Sequence, residues 1–394
     1  RLKIEAENQT KSAQSAQDAS QIKIEPSIQF AGNNPSSTPN DNSCAMSDSG
    51  HIISVVNSNM AIYNDTGKQL KFIALSSFAS SVLGTFASIS DPRVIYDPNE
   101  KKFIVTFFSG ASSTTNQIIV AFSKTSNPML AWNFYIFNGN PNKDTTWSDY
   151  PIISLSKSDF FITFNHVKDN TPWQQGFRYS AIWQFDKKRG FNGDSIKYNY
   201  WNNIKHQGKS IWSVCAVMQS GLLQSDDMQF LSVRPSDLNN DTVFLHNISN
   251  SYQSGLASFS TKVLKTNLSY GLSPNAIQAD KQQLATNDAR VLHAVKINQN
   301  IYYVQNCREP VNLRSGIYLG KLNLTNNSIK GQIISYDSMD LGYPSISLVG
   351  NYALDEKCII NASFVKKNGF AGVLALYKDK NDIVHAPLML KYGL

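Results

Sequence analysis

The sequence predicts an all-β protein, a β-propeller of six four-stranded blades, with seven as the alternative count. Three observations lead there. Short strand openings recur, reading Asp91-Pro92-Arg93-Val94, Asp149-Tyr150-Pro151-Ile152, Asp288-Ala289-Arg290-Val291 and Tyr343-Pro344-Ser345-Ile346, with a weaker copy between the second and third. Strand-built repeats at a period of roughly 50 to 60 residues are the signature of a propeller. The runs that follow, such as Phe103 to Phe108 and Ile118 to Phe122, are continuously apolar, as strands covered on both faces are. Long amphipathic helical patterning is almost absent.

Taken in order, residues 1–42 read as a mobile tail that docks at its end, and residues 43–394 as the propeller. Arg1 to Ser20 is polar with little pattern, and Asn33 to Pro39 is rich in turn formers. Between them, Ile22-Lys23-Ile24 and Ile28-Gln29-Phe30 are candidates for an edge strand. A chain opening on Arg1 is expected to be a processed product. The first blade is expected from Cys44 to Leu75, the second from Val94 to Phe137 and the third from Pro151 to Phe185. The fourth runs from Val214 to His246, the fifth from Val291 to Gly320 and the sixth from Ile346 to Leu390. A seventh blade would have to lie in residues 250–287 or be completed by the tail.

Charged residues make up only 16% of the chain, against about 25% in an average soluble protein. Asn, Ser, Thr and Gln take their place, which suits a secreted or surface-displayed protein. The net charge is +7, yet no Lys/Arg block stands out. Specific nucleic-acid binding, which calls for a basic stripe with aromatics, is not expected. A diffuse positive surface is compatible with anionic polymers. No apolar run is long enough for a membrane span. The four cysteines have no CxxC spacing, and no His stands where a zinc site would need it. Cys307 and Cys358 fall in second strands of neighbouring blades and are the preferred disulfide, in an oxidising compartment. Buried free thiols are the competing reading.

The strand openings, with Trp147-Ser148-Asp149-Tyr150-Pro151 and the segment His51 to Gly67, resemble those of secreted bacterial β-propellers, many of them parts of exported cell-surface proteins. The resemblance spans about residues 43–394. It implies an extracellular propeller of sialidase-like shape, without a known substrate. The sequence departs from true sialidases in lacking the Asp box; Ser47-Asp48-Ser49-Gly50 is a poor match.

The first strand of each propeller blade lines the channel, so the loops entering those strands gather at one mouth. Asp91, Arg93, Asp149, Tyr150, Asp288, Arg290 and Tyr343 are therefore expected to converge as a ligand site. The two arginines would grip a carboxylate or sulfate. The carboxylates would suit Ca2+ as the one cation, and no other cofactor or metal is expected. The competing reading is that each Asp caps a strand entry and each Arg bridges to the next blade. Trp147, Trp173, Trp201 and Trp212 are candidates for stacking on sugar rings. No nucleophile elbow, metal-spaced histidines or phosphate loop is present. His293 is the histidine on a channel strand. The expected function is a binding or structural module for glycans, anionic polymers or a protein partner at the cell surface. The alternatives are a glycan-acting hydrolase or lyase using Asp91, Asp149 or Asp288, and a surface protein that self-assembles through its tail.

Overall fold

The computed structural model describes residues 28–34, 38–83, 88–349 and 356–393. Strands dominate them and form antiparallel meanders around a common axis, as a propeller does. Four meanders stand as separate four-stranded sheets. The first holds Ser43–Met46, Ile52–Val56, Asn59–Tyr63 and Gln69–Ala74. The second holds Ile89–Asp97, Lys102–Ser109, Gln117–Ser123 and Trp132–Asn138. The third holds Thr146–Leu155, Asp159–Lys168, Phe177–Asp186 and Tyr198–Trp201. The last holds Met339–Val349, Lys357–Lys366, Ala371–Lys378 and Leu388–Lys391.

Between the third and the last lies a nine-stranded sheet that parses as two more meanders plus a two-residue strand, Met218–Gln219, paired in parallel with the inner strand of the fifth. The fourth runs Cys215–Ala216, Met228–Val233, Asn240–Ser249 and Ser258–Tyr270. The fifth runs Val291–Ile297, Asn300–Arg308, Ser315–Asn323 and Ile329–Ile334. A single parallel pairing, Thr266 with Ile329, joins their outer strands. The first strands follow one another round the axis, each beside the next.

The apolar runs are buried because each sheet is covered on both faces. One layer, with Ile53, Phe103 and Phe107, fills the space between the first and second blades. A second, with Phe108, Phe160 and Trp183, lies between the second and third. A third, with Phe230, Phe244, Tyr303 and Tyr318, lies around the fourth and fifth, and a fourth, with Tyr302, Ile360 and Phe364, between the fifth and sixth. Each fully buried aromatic or branched side chain contributes about 1.5–3 kcal/mol by leaving water. The layers, not local propensity, hold the blades to one another.

Two sequence readings are corrected here. Residues 258–270 form the long outer strand of the fourth blade and 276–284 carry a two-residue-strand hairpin, so residues 250–287 hide no further blade. The outer strand was missed because its apolar residues, Phe259, Val263, Leu264 and Leu268, are sparse among polar ones, and Val263 is exposed. The Cys307–Cys358 disulfide is absent, and all four cysteines are free. Strand parity explains it. Along the second strand of the fifth blade, Ile301, Tyr303 and Cys307 face the layer toward the fourth blade, while Tyr302 and Val304 face the sixth. Cys358 lies in that second layer, so the fifth sheet itself separates the two sulfurs. Burial pushes both thiols up to about 12.

Of the tail, Ile22 to Ile24 lie outside the described residues. Ile28 to Phe30 form no strand; Phe30 packs on Tyr63, and Asn33 donates to the Ser54 carbonyl. Trp201 packs against Phe259 and Trp212 stacks on Phe177 at 5.0 Å, so their rings are spent on packing; the Trp173 side chain lies outside the described residues. Among the described residues no helix is long and apolar enough to cross a membrane.

Candidate active site

The repeated strand opening is a backbone device. In each blade one residue ahead of the inner strand, or in its first half, adopts left-handed φ: Asp41 (43°), Asp91 (52°), Tyr150 (58°), Ser213 (50°), Asn287 (61°) and Tyr343 (51°). Non-glycine residues rarely take this conformation, and Asn and Asp tolerate it best. Pairing with the second strand is broken at the same place, between Ser90 and Arg93, between Thr163 and Asn165, and between Gly342 and Ser345. The bulge turns these residues toward the mouth.

Asparagines of the preceding blade hold the turns. Asn57 Oδ1 accepts the Asp91 N–H at 2.8 Å, Asn165 the Ser213 N–H at 3.2 Å and Asn306 the Tyr343 N–H at 2.8 Å. Asn116 accepts the N–H of Ser148, two residues before Tyr150, at 3.0 Å. Sequence reasoning missed these asparagines, because a lone Asn in so Asn-rich a chain carries no signal.

The structure brings Asp91, Arg93, Asp149, Tyr150, Asp288, Arg290 and Tyr343 close enough to bear on one another's charges. The Asp91 and Asp149 carboxyls hydrogen-bond one another, and both are partly accessible. Crowding by protein and the like charge of Asp149 hold Asp91 well above the usual carboxylate range, while Arg93 pulls it down. Asp149 is raised too, chiefly by burial, against the opposing pull of its bond to Asp91 and of Arg290. Two carboxyls in contact cannot both ionise cheaply, so the pair holds protons more tightly than free carboxyls do, with Asp91 the more strongly raised.

Across the mouth, Arg290 closes on Asp288 through two hydrogen bonds, of 2.8 and 2.7 Å. Its guanidinium lies 4.6 Å from the Tyr150 ring centroid and 5.8 Å from that of Trp212. Burial pushes the Tyr150 phenol up to about 12, so it stays protonated. Arg93 donates to the Pro151 carbonyl at 2.8 Å, a blade-to-blade bridge. The Tyr343 hydroxyl donates to the Ala285 carbonyl, which ties it to the loop before the fifth blade. Asp41 also bears on Asp91, Asp149 and Tyr343, and sequence reasoning left it in the tail. Two surface hollows, of about 510 and 420 Å3, lie along the third blade and contain none of these residues.

No protein-family model matches the chain, and no curated protein does. Solved structures do. Two point variants of the Synechocystis apocarotenoid oxygenase align with TM-scores of 0.50, at 10% and 12% identity, over 90% and 89% of this chain and 72% of theirs. A cobalt-substituted form of that enzyme aligns with a TM-score of 0.50 at 11% identity, over 89% and 72%. At these identities the likeness is one of fold. A neuraminidase-like protein of A/little yellow-shouldered bat aligns over 63% of the chain with a TM-score of 0.33, too low to support the sialidase-like resemblance.

These matches correct two expectations. The chain was expected to be a binding or structural module, with glycan hydrolysis or tail-mediated assembly behind it; the structures that share its fold are enzymes named as oxygenases. It was expected to work without a cofactor, Ca2+ aside; a structural neighbour is a metalloprotein. The residues present here do not fit such a centre. Among the described residues no group of three or more His, Cys, Asp or Glu is placed to hold a metal. His293 alone of the six histidines stands on an inner strand, and its Nδ1 lies 2.7 Å from the Ile346 carbonyl oxygen. His166 contacts Thr146 and Tyr200, and His246 contacts Ser232 and Thr261, all within blades. Burial lowers these two imidazoles to about 4 and about 3.

Proposed function

We propose that the chain is a propeller-shaped enzyme that performs acid–base chemistry on a small molecule at the channel mouth, with Asp91 as the acid and Asp149 as the base or nucleophile. The observation that carries this reading is the contact between two partly accessible carboxyls of adjacent blades, both raised above the usual carboxylate range by burial. Paired carboxyls pushed apart in proton affinity are the arrangement from which one fold draws both an acid and a base near neutral pH. Asp91 would give its proton to a departing or polarised oxygen. Asp149 would attack, or take a proton from an attacking water. Arg93 and the Asp288-paired Arg290 would orient the substrate and bound the charge that develops. The oxygenase activity of the structural neighbours is not carried over, because no step here is routed through a metal that these side chains are not arranged to hold.

A small aryl glycidyl ether tests the reading without knowledge of the natural substrate. Asp149 attacks a ring carbon, the ring C–O bond breaks, and the Asp91 proton passes to the alkoxide. The product is a hydroxyalkyl ester on Asp149 with Asp91 left as carboxylate. Peptide mass spectrometry should find one adduct, at Asp149, with a bell-shaped pH dependence that Asp91→Asn abolishes. Absence of an adduct, or labelling indifferent to Asp91→Asn, overturns the proposal.

A further inference from the structure

Asp41 belongs to the first blade's mouth, although it precedes the first strand. Its φ of 43° is the counterpart of 52° at Asp91, and it stands two residues before Ser43 as Asp91 stands two before Arg93. Ser43 then ties this segment to the second blade, accepting the Val94 N–H on its hydroxyl at 3.2 Å.

The link from Asp41 to the carboxyl pair is one side chain. Asn57 Nδ2 donates to Asp41 Oδ2 at 2.5 Å and to the Pro39 carbonyl at 3.0 Å, while its Oδ1 accepts the Asp91 N–H at 2.8 Å. The Asn57 backbone N–H donates to the Asn40 carbonyl at 3.0 Å. One amide thus fixes the entering segment and the left-handed turn that aims Asp91. We propose that Asp41 is a positioning residue of the site, which orients Asp91 through Asn57 and couples the carboxyl pair to the segment ahead of the first blade.

This rests on the acid–base reading of the mouth. The negative charge of Asp41 favours retention of the pair's proton, against Arg93 on Asp91 and Arg290 on Asp149. Asp288, Tyr150, Tyr343 and His293 are the other titratable groups facing this mouth. Arg290 is bound to Asp288, the phenols stay protonated, and burial keeps His293 neutral, its pKa lowered. The charge that remains to bias the pair from outside is that of Asp41 set against the arginines.

The experiment is the pH profile of glycidyl-ether labelling in the full chain, for wild type, Asp41→Asn and Asn57→Ala. Asp41→Asn keeps an oxygen for Asn57 Nδ2 and removes only the charge. Its alkaline limb, where Asp91 loses the proton, should move to lower pH, with the acid limb moving the same way. Asn57→Ala should lose most of the labelling rate. The infrared carbonyl band of the protonated acid should weaken at neutral pH in Asp41→Asn, a readout that needs no probe. If wild type labels as expected and Asp41→Asn gives an unchanged profile and an unchanged band, the role of Asp41 falls while the carboxyl pair stands. If wild type does not label, the acid–base reading itself falls.

Discussion

The second and fifth blades open on the same spelling, Asp-x-Arg, and put it to opposite uses. In the fifth, Asp288 closes on Arg290, both buried, and the carboxylate has its partner two residues away. In the second, Arg93 turns away to the Pro151 carbonyl and Asp91 is left to meet Asp149. The cause is a shift of one residue in the backbone. The left-handed residue is Asp91 itself in the second blade, but Asn287, the residue before the Asp, in the fifth. Asp288 therefore folds back, accepting the Arg290 N–H at 3.0 Å as well as its guanidinium. A repeated motif has served a structural need in one copy and set a carboxyl against another carboxyl in the other.

The largest expected effect tests the closed copy. Asp288→Ala strips the buried Arg290 of its carboxylate and should cost about 3–5 kcal/mol in urea unfolding, as breaking a buried ion pair does. A loss under 1 kcal/mol would mean that the Tyr150 and Trp212 faces hold the guanidinium well enough alone, and the contrast between the copies would shrink.

The open copy predicts a pH dependence of the opposite kind to an ordinary acid. A free Asp releases its proton near pH 4. Asp91 holds its proton to higher pH in the folded state. Between those limits the folded protein binds more protons than the unfolded, so stability falls as pH rises, by up to about 1.4 kcal/mol per unit. Asp159, pushed by burial up to about 6, adds a slope of the same sign that ends there. His166 and His246, whose pKa values are lowered, act in the other sense up to about pH 6.5. Above that point the pair's slope should remain in wild type and vanish in Asp91→Asn. Parallel curves for the two proteins would remove the shared proton.

The asparagine clamps sharpen the comparison further. Asn57→Ala and Asn306→Ala each remove the acceptor of a turn N–H and should each cost about 1–2 kcal/mol. Only Asn57→Ala should also depress glycidyl-ether labelling, because Asn306 serves Tyr343, which lies outside the carboxyl pair. Equal labelling in the two variants would make both clamps purely structural.

The blades were legible in the sequence because strands covered on both faces need long apolar runs, as at Phe103 to Phe108. The mouth was legible because each inner strand needs a turn, and the turns reuse Asp, Tyr and Pro. The electrostatics were not. Whether an Asp pairs with the Arg two residues on depends on which residue takes the left-handed conformation, and Asp91 and Asp288 look alike until that is known. Asp41 was hidden because the first blade opens without the Pro or Arg that follows the turn in the second, third, fifth and sixth. Parity along the second strands, not proximity in the repeat, decided the fate of Cys307 and Cys358.

The smallest effect belongs to the fifth blade's interior. Gln305 is fully buried on its second strand, and neither end of its amide has a hydrogen-bond partner among the described residues. A buried amide without partners is costly, and a leucine of similar size carries no such cost. Gln305→Leu should therefore raise stability by about 1 kcal/mol, seen as a higher urea midpoint at unchanged slope. Because Gln305 carries no charge and makes none of the contacts that bear on the carboxyl pair, labelling at Asp149 should not move. Destabilisation instead would mean that an ordered water satisfies the amide. A change in labelling would mean that the interior of the fifth blade, and not the charge of Arg290 alone, bears on the carboxyl pair.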